Sequence, residues 1–450
     1  MNQAYLEDAS GYRGEAEAVY TPSNEAELCD LIRQASAANV PLTVAGAGTG
    51  VAGGRVPHGG WVVSLERFTR IHIDQGFARA GSGVLLQDLQ AAAFPTGQFY
   101  APDPTEMAAS VGGSIATNAS GSRSFRCGDT RSHVQALRVA LMDGTVREFR
   151  RGDRIDFDTP LIPRPSTTKH SAGFLLYPGM DWVDLFIGSE GTLGVITEAE
   201  LHLVKLPGEL ISGVVFFKTE ESALDAVDAW RPIPLLRMIE FFDAGSLRLL
   251  REKYPEVPRN ACAALLIEQE IASDADYDAW EARLEAAKAL SADSWFAMSD
   301  ADREKFRRFR HALPEAVNTV IRQRGLRKLG TDFAVPLDRS RDMMRAYREV
   351  LEPEFSGRYV IFGHIGDAHV HVNILPADEA ESTRAMDLIT SLARTAVDMG
   401  GTVSAEHGLG KRKRHLLAIQ YNSEQIEAML AVKHRLDPQN LLGRGTLFPV

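Results

Sequence analysis

Three of the chain's twelve histidines fall within fourteen residues, Gly363-His-Ile-Gly-Asp-Ala-His-Val-His-Val-Asn-Ile-Leu-Pro376. His369, His371 and Asn373 recur at a period of two, and Val370, Val372 and Ile374 fill the alternate positions. Such alternation reads as a β-strand with one apolar face and one face of nitrogen and oxygen donors. His364 precedes His371 by seven residues, across the turn-forming pair Gly366-Asp367, so a tight reversal there sets it beside the strand. Further on, Ser404-Ala-Glu-His-Gly-Leu-Gly410 offers Glu406 and His407. Two imidazoles and a carboxylate are a common shell for a catalytic divalent metal that keeps an open position. A surface strand whose histidines are only hydrogen-bonded would show the same pattern, and for His364 taken alone that is the simpler reading.

These donors need a scaffold, and the first half of the chain supplies one of a particular texture. Residues 23–39 pattern as an amphipathic helix, with Leu28, Leu31, Ile32 and Ala35 on one face and Ser23 or Asn24 as the cap. A short buried strand, Pro41 to Ala45, then runs into Gly46-Ala-Gly-Thr-Gly-Val-Ala-Gly-Gly54. The loop contains a literal G-x-G-x-x-G at Gly48, Gly50 and Gly53. A dinucleotide fold requires a helix directly after those glycines. Here Arg55-Val-Pro-His-Gly-Gly60 and another strand, Trp61 to Leu65, follow instead. The loop therefore reads as a bare backbone cradle for a diphosphate, or else as a connector with no ligand. Two more small-residue loops, Ser110–Gly121 and Gly188–Gly194, each sit between apolar runs and suit a long ligand lying against backbone.

At 450 residues the chain is too long for one ordinary core. A net charge of −11 argues against a nucleic-acid partner. Cys29, Cys127 and Cys262 are scattered, so neither a disulfide framework nor an internal iron–sulfur cluster is expected. The first twenty residues are acidic and polar, unlike a signal peptide, and no apolar run approaches about 18 residues. A cytoplasmic protein is expected, and peripheral contact with the inner face of a membrane stays compatible with this composition.

Residues 150–165 read as an irregular surface excursion. After Pro207 the pattern changes to long helices over 220–231, 276–291, 300–324, 339–352 and 378–400. Strands are expected at Ile211–Phe217, Ala261–Glu268, Thr331–Val335 and Tyr359–Phe362. Helices and strands without strict alternation predict an antiparallel α+β domain. From Lys411 two helices and Leu436-Asp-Pro-Gln-Asn-Leu-Leu-Gly443 complete the chain. The expected division is 1–206, 207–410 and 411–450.

Taken together and in this order, the loops and the histidine pair resemble the flavin-dependent 2-hydroxyacid dehydrogenases that share the fold of vanillyl-alcohol oxidase and p-cresol methylhydroxylase. The resemblance runs from about residue 15 to 450 and includes D-lactate and D-2-hydroxyglutarate dehydrogenases and the flavin subunit of glycolate oxidase. It implies an α+β fold: a two-part FAD-binding domain, a cap domain on an antiparallel sheet, and a C-terminal helical return to the flavin. It also implies that FAD is bound by Ala45, Gly46, Ala47, Gly48, Thr49, Gly50 and Gly53, and by Pro102 and Asp103 of Pro102-Asp-Pro-Thr105. Further contacts are implied from Gly112, Gly113, Ser114, Thr117 and Asn118, from Gly188, Glu190, Gly191, Gly194, Val195 and Ile196, and from Asn440. A relative that tethers its flavin has a histidine in the first loop, where Thr49 and Gly50 stand here. Non-covalent FAD is implied, with His58 the nearest other candidate tether.

By the same resemblance His364, His371 and Glu406 hold the metal, commonly zinc, and His407 is the base. Arg310 and Lys328 meet the substrate carboxylate and Asn373 helps to position it. Three departures stand out. His369 replaces an asparagine and is able to join the metal shell or displace His364. Lys328 lies two residues before the simplest alignment. Pro314 stands where some relatives carry a hydroxyl, which leaves the identity of the acid open. The implied reaction is oxidation of a D-2-hydroxy acid to the 2-oxo acid, with an external electron acceptor: an iron–sulfur subunit, a quinone or an electron-transfer flavoprotein. A homodimer is a family-based expectation. The rival within the same fold is a non-redox synthase resembling alkyl-dihydroxyacetonephosphate synthase, for which no basic amphipathic anchor is seen. Two more distant rivals are a metal-dependent hydrolase, with a nucleotide on the glycine loops, and a redox-inactive flavin subunit.

Overall fold

The computed structural model describes residues 3–104 and 106–449, so Thr105 of the Pro102–Thr105 segment lies outside the described residues. A parallel three-stranded sheet comes first, with Trp61–Ser64 between Ala18–Tyr20 and Leu42–Ala45. Helix Glu25–Ala38 packs beside it through Leu28, Ile32 and Ala35, and Asn24 caps it by accepting the Glu27 N–H at 3.0 Å. A second sheet is antiparallel, ordered Ile71–Asp74, Phe77–Gly81, Val195–His202, Val134–Ala140, Val146–Arg150. Its central strand, Val195–His202, emerges directly from the Gly188–Gly194 loop. The C-terminal segment returns to the first sheet: Leu42 N–H donates to Leu441 O and Gly443 N–H to Leu42 O, both at 2.8 Å.

The third sheet has seven antiparallel strands, in the order Trp295–Phe296, Leu210–Phe217, Ala263–Glu270, Leu236–Asp243, Tyr359–Gly363, His371–Ile374, Leu329–Gly330. Its residues sort by parity. Val215, Phe217, Phe241, Leu265 and Ile361 join one apolar cluster, and Val214, Phe216, Phe242, Leu266 and Val360 join another. Both faces are covered, so residues 214–217, 263–267 and 359–362 read in sequence as apolar runs, whereas His371–Ile374 alternates. Every residue of Leu236–Asp243 is buried, Glu240 included. Helix Asp300–Gln323 covers one face through Phe306, Phe309, Leu313 and Val317.

The expected strand at Thr331–Val335 requires correction. The ladder stops after Leu329–Gly330, and the next residues divide their backbone between two neighbours. Ala334 bridges both His369 and Thr402, while Ala405 N–H donates to Asp332 O at 2.7 Å. One strand cannot stay in register with both, so regular pairing ends. Among the described residues no helix is long and apolar enough to cross a membrane.

His170 ties distant segments together. Its Nδ1 lies 2.8 Å from Thr402 Oγ1 and its Nε2 2.9 Å from Tyr421 Oη. Burial pushes the ring down to about 3 from its ordinary 6.5, so the folded protein keeps it neutral while the unfolded chain protonates below pH 6.5. Stability from this group is undiminished above pH 6.5 and falls as pH drops toward 3. We therefore predict that urea unfolding shows about 2 kcal/mol more loss between pH 6.5 and 5 in the wild type than in His170→Gln. Parallel pH curves for the two proteins would refute the assignment.

Candidate active site

The glycine loop leaves Leu42–Ala45 and is followed by a parallel strand, with no intervening helix. A Cβ on Gly46 would fall 2.7 Å from Ser110 Oγ, and one on Gly113 would fall 3.0 Å from the same atom. The loop and the short helix Val111–Thr117 thus approach backbone to backbone. They border a cavity of ≈ 590 Å³, within the range of cofactor sites. Of the expected FAD contacts, Gly46, Ala47, Gly48, Thr49, Gly50, Gly112, Gly113, Ser114, Thr117, Glu190, Gly191, Gly194 and Ile196 line it. A wall of glycine and small hydroxyl residues fits a dinucleotide, since few side chains bar approach to the backbone.

Ala45, Gly53, Pro102, Asp103, Asn118, Gly188, Val195 and Asn440 are not on that wall. Asn118 has φ +50°, donates to Asp129 Oδ2 at 2.8 Å and accepts the Arg131 N–H at 2.9 Å. Asp103 pairs with Arg123, which also meets Glu268 at 2.9 Å. Gly53 donates to Asp8 Oδ2 at 2.8 Å, and Gly188 N–H donates to Ile115 O at 3.0 Å. Asn440 holds a left-handed turn after Asp437, whose carboxylate accepts the Leu442 N–H at 2.7 Å. Ala45 and Val195 belong to strands, while Asn118, Asp103, Gly53, Gly188 and Asn440 thus brace loops. Glu190 does both: it lines the cavity and accepts the backbone N–H groups of Leu409 and Gly410 at 2.9 and 2.7 Å. Burial pushes its carboxyl up to about 7.

At the other end of the cavity the histidines assemble. The reversal at Gly366-Asp367 is a single 3-10 turn, Ile365–Asp367, closed by Ala368 at φ +50°. It lays Tyr359–Gly363 against His371–Ile374 with Phe362 opposite His371. The ring centroids of His364 and His371 are 5.4 Å apart, and His407 stacks on His371 at 5.3 Å. Glu406 Oε1 lies 3.3 Å from Nε2 of both His364 and His371 and 3.8 Å from His407 Nε2. Its Oε2 accepts from Ser120 Oγ at 3.1 Å and from the buried Lys169 Nζ at 3.3 Å. Burial alone would raise this carboxyl, but Lys169 and His364 hold it well below the usual carboxylate range.

Two carboxylates support this group from behind. Glu240, with no exposed surface, accepts from His364 Nδ1 at 2.6 Å and from Arg310 Nε at 2.6 Å. Asp332 Oδ2 accepts the His407 backbone N–H at 2.9 Å and Ser404 Oγ at 2.7 Å. Its Oδ1 accepts from His369 Nε2 at 3.1 Å and stands 3.3 Å from His407 Nδ1, without hydrogen-bond alignment to that nitrogen. Burial pushes His407 down to about 4 against the pull of Asp332, so the ring is neutral at pH 7 and able to accept a proton.

The cluster's chemistry suits a divalent ion. His364 Nε2, His371 Nε2 and Glu406 Oε1 converge, and Asp332, His369, His371 and Glu406 each offer a donor within 4.8 Å of the others. The two sets share His371 and Glu406. His369 Nε2 is committed to Asp332, while its buried Nδ1 has no hydrogen-bond partner among the described residues.

Arg310, Lys328 and Asn373 line the same cavity as His371, Glu406 and His407. Lys328 opens on the cavity, yet packed atoms around it, with Lys413 nearby, push its ammonium down to about 8. Asn373 Oδ1 is buried without a hydrogen-bond partner among the described residues, as an atom reserved for a ligand would be. Sequence reasoning missed Glu240, Asp332 as the partner of His407, and Lys169. Glu240 carries one usable signal, a lone carboxylate inside the apolar run Met238–Phe242. Lys169 follows an irregular stretch and has none.

The chain belongs to the FAD-linked oxidases. A family profile described as "FAD linked oxidases, C-terminal domain" matches residues 206–447, and one described as "FAD binding domain" matches residues 16–150. It is thus a flavoprotein oxidoreductase, with an FAD-binding part and an antiparallel-sheet α+β part. It is 30% identical to "Glycolate oxidase subunit GlcD" of Bacillus subtilis (strain 168), over 97% of this chain and 90% of that protein. It is 31% identical to a "D-lactate dehydrogenase" of Archaeoglobus fulgidus, over 95% and 90%, and 29% identical to a "D-2-hydroxyglutarate dehydrogenase" of Xanthomonas citri pv. viticola, over 96% and 89%. Among solved structures, alkyldihydroxyacetonephosphate synthase aligns with a TM-score of 0.66 at 17% identity, covering 94% of this chain and 76% of that one. That likeness concerns the fold alone.

Proposed function

We propose that this enzyme oxidises a D-2-hydroxy acid to the 2-oxo acid, with non-covalent FAD in the cavity and a divalent metal, zinc, on His364, His371 and Glu406. The observation that carries the reading is the convergence of His364, His371, Glu406 and His407 at one end of a cavity that the glycine loops also line. On this reading residues 1–206 hold the flavin, 207–410 the substrate and metal, and 411–450 the return to the flavin. Bound FAD would supply a two-electron acceptor for the hydride of the α-carbon. The metal would supply a Lewis acid that lowers the pKa of the substrate hydroxyl.

The chain's own residues do the rest. His407 Nε2, neutral and beside Glu406, accepts the hydroxyl proton, and Asp332 behind Nδ1 stabilises the resulting imidazolium. Arg310 and Lys328 orient the carboxylate, and Asn373 offers its Oδ1 to the substrate. Non-covalent attachment is supported by the lining: Thr49 and Gly50 border the cavity, whereas His58 is not on it and its Nε2 lies 2.8 Å from Tyr12 Oη. Electrons leave to an external acceptor, an iron–sulfur subunit, a quinone or an electron-transfer flavoprotein, from a cytoplasmic enzyme that is a homodimer on this reading.

An anaerobic visible spectrum tests the proposal, with D- and L-2-hydroxy acids added in turn. Absorbance near about 450 nm that bleaches with a D-acid and returns on adding an acceptor is the expected result. A yellow protein that no acid in the panel bleaches would overturn the proposed reaction.

A further inference from the structure

The proposed metal site and the proposed carboxylate clamp have a single residue in common, and that residue lies on neither cavity wall. Glu240 sits in the middle of the Leu236–Asp243 strand with no exposed surface, on the face that packs against helix Asp300–Gln323. Phe242 and Leu266 of the same sheet and Phe309 of the helix are apolar neighbours on that side. A carboxylate in such surroundings is strongly disfavoured unless both of its oxygens are paired. Glu240 uses one oxygen for His364 Nδ1 and the other for Arg310 Nε, both at 2.6 Å.

We infer that Glu240 is a positioning residue for both halves of the reaction: it fixes the His364 tautomer for metal binding and fixes Arg310 for the substrate carboxylate. This rests on the proposed roles of His364 and Arg310. An ionised carboxylate has no proton to give, so the proton in the His364–Glu240 bond is on Nδ1. With Nδ1–H so fixed, Nε2 is the nitrogen left to give its lone pair to a metal, and it lies 3.3 Å from Glu406 Oε1, the proposed anionic ligand. A histidine whose second nitrogen donates to a carboxylate is also a more basic metal ligand. At Arg310, the same carboxylate engages Nε and so sets the plane of the guanidinium, the group that pairs with carboxylates in a fixed fork. One buried acid therefore links where the ion sits to how the acid group of the substrate is held.

Glu240→Gln tests this in the FAD-loaded enzyme, stripped of metal for the Zn2+ titration and reloaded with Zn2+ for turnover. Glutamine matches glutamate in shape but carries one acceptor and one donor end. With its oxygen toward Arg310, its NH2 group faces His364 Nδ1, which must become an acceptor, and the proton moves to Nε2 and blocks the metal. With its oxygen toward His364, its NH2 group opposes Arg310 Nε–H and the clamp is displaced. The expected result is Zn2+ affinity weakened by about 10- to 100-fold, or KM for the hydroxy acid raised by about 10-fold at unchanged Zn2+ affinity, with FAD content and Tm near wild type. Zn2+ affinity by titration calorimetry and KM both within twofold of wild type would overturn the inference.

Glu240→Asp guards against a misfolded glutamine variant. It keeps the buried charges balanced but is one methylene too short to meet both partners, so it should show the same split. Wild-type values for both quantities in a folded Glu240→Asp would also overturn the inference. Failure of the underlying reading looks different: wild-type holoenzyme that binds no Zn2+ removes the metal site itself, whatever Glu240 does.

Discussion

His407→Ala leaves the bound flavin yellow and stops its reduction by substrate. The imidazole is neutral at pH 7 because burial pushes it down to about 4, and its Nε2 faces the Glu406 carboxylate 3.8 Å away. Among the cavity-lining side chains it is the one we assign to take the hydroxyl proton, with Asp332 placed to hold the charge it gains. General-base catalysis of this kind contributes about 10²- to 10⁴-fold, and that is the expected fall in the rate of anaerobic bleaching measured by stopped flow. FAD content and Zn2+ affinity should hold, because His407 is not one of the proposed ligands. Bleaching at the wild-type rate would remove His407 from the mechanism.

Glu406→Gln is expected to strike both chemistry and stability. The carboxylate is the anionic member of the proposed metal set and the partner of Lys169, whose side chain is 1% exposed. Removing it leaves a buried ammonium with Asp367 at 3.5 Å as its remaining carboxylate. Breaking a buried pair costs about 3–5 kcal/mol, and Asp367 places this case toward the lower value. Denaturant unfolding of the FAD-loaded protein measures it. The double variant Glu406→Gln/Lys169→Met should recover most of that stability, since no unmatched cation remains and Asp367, whose carboxyl burial already pushes up, can take a proton, while zinc binding and flavin reduction stay lost. If the double variant regained flavin reduction, Glu406 would be a structural counter-ion and not a ligand.

The two substitutions separate because the cluster has two layers. Lys169, Asp367 and Glu240 balance charge around the histidines, whereas Glu406, His371, His407 and Arg310 reach the cavity. The outer layer was hard to see in the sequence for a physical reason. A buried ion pair is made by tertiary contact between segments far apart, and neither partner leaves a periodic trace. Lys169 and Glu406 are 237 positions apart, and Glu240 and His364 are 124 apart. A single acid inside the apolar run Met238–Phe242 was the one visible sign. Thr331–Val335 reads as a strand because its residue types suit one; the demand of two neighbours on its backbone is invisible until those neighbours are placed.

Local order, by contrast, was legible wherever the cause was local. The alternation of Val370, Val372 and Ile374 against His369, His371 and Asn373 specifies an extended segment, because successive side chains on a strand point to opposite faces. Gly366-Asp367 specifies the reversal that returns His364 to its side, and the missing helix after Gly54 excludes a dinucleotide fold of the usual kind. These follow from backbone geometry over a few residues. Only the tertiary structure decided which nitrogen of His364 faces Glu406, that His369 turns to Asp332, and that Asn118 and Asp103 brace loops instead of lining the cavity. Those outcomes depend on which buried charge lies nearest in space, and proximity across a folded chain is set by packing, which no spacing along the sequence encodes.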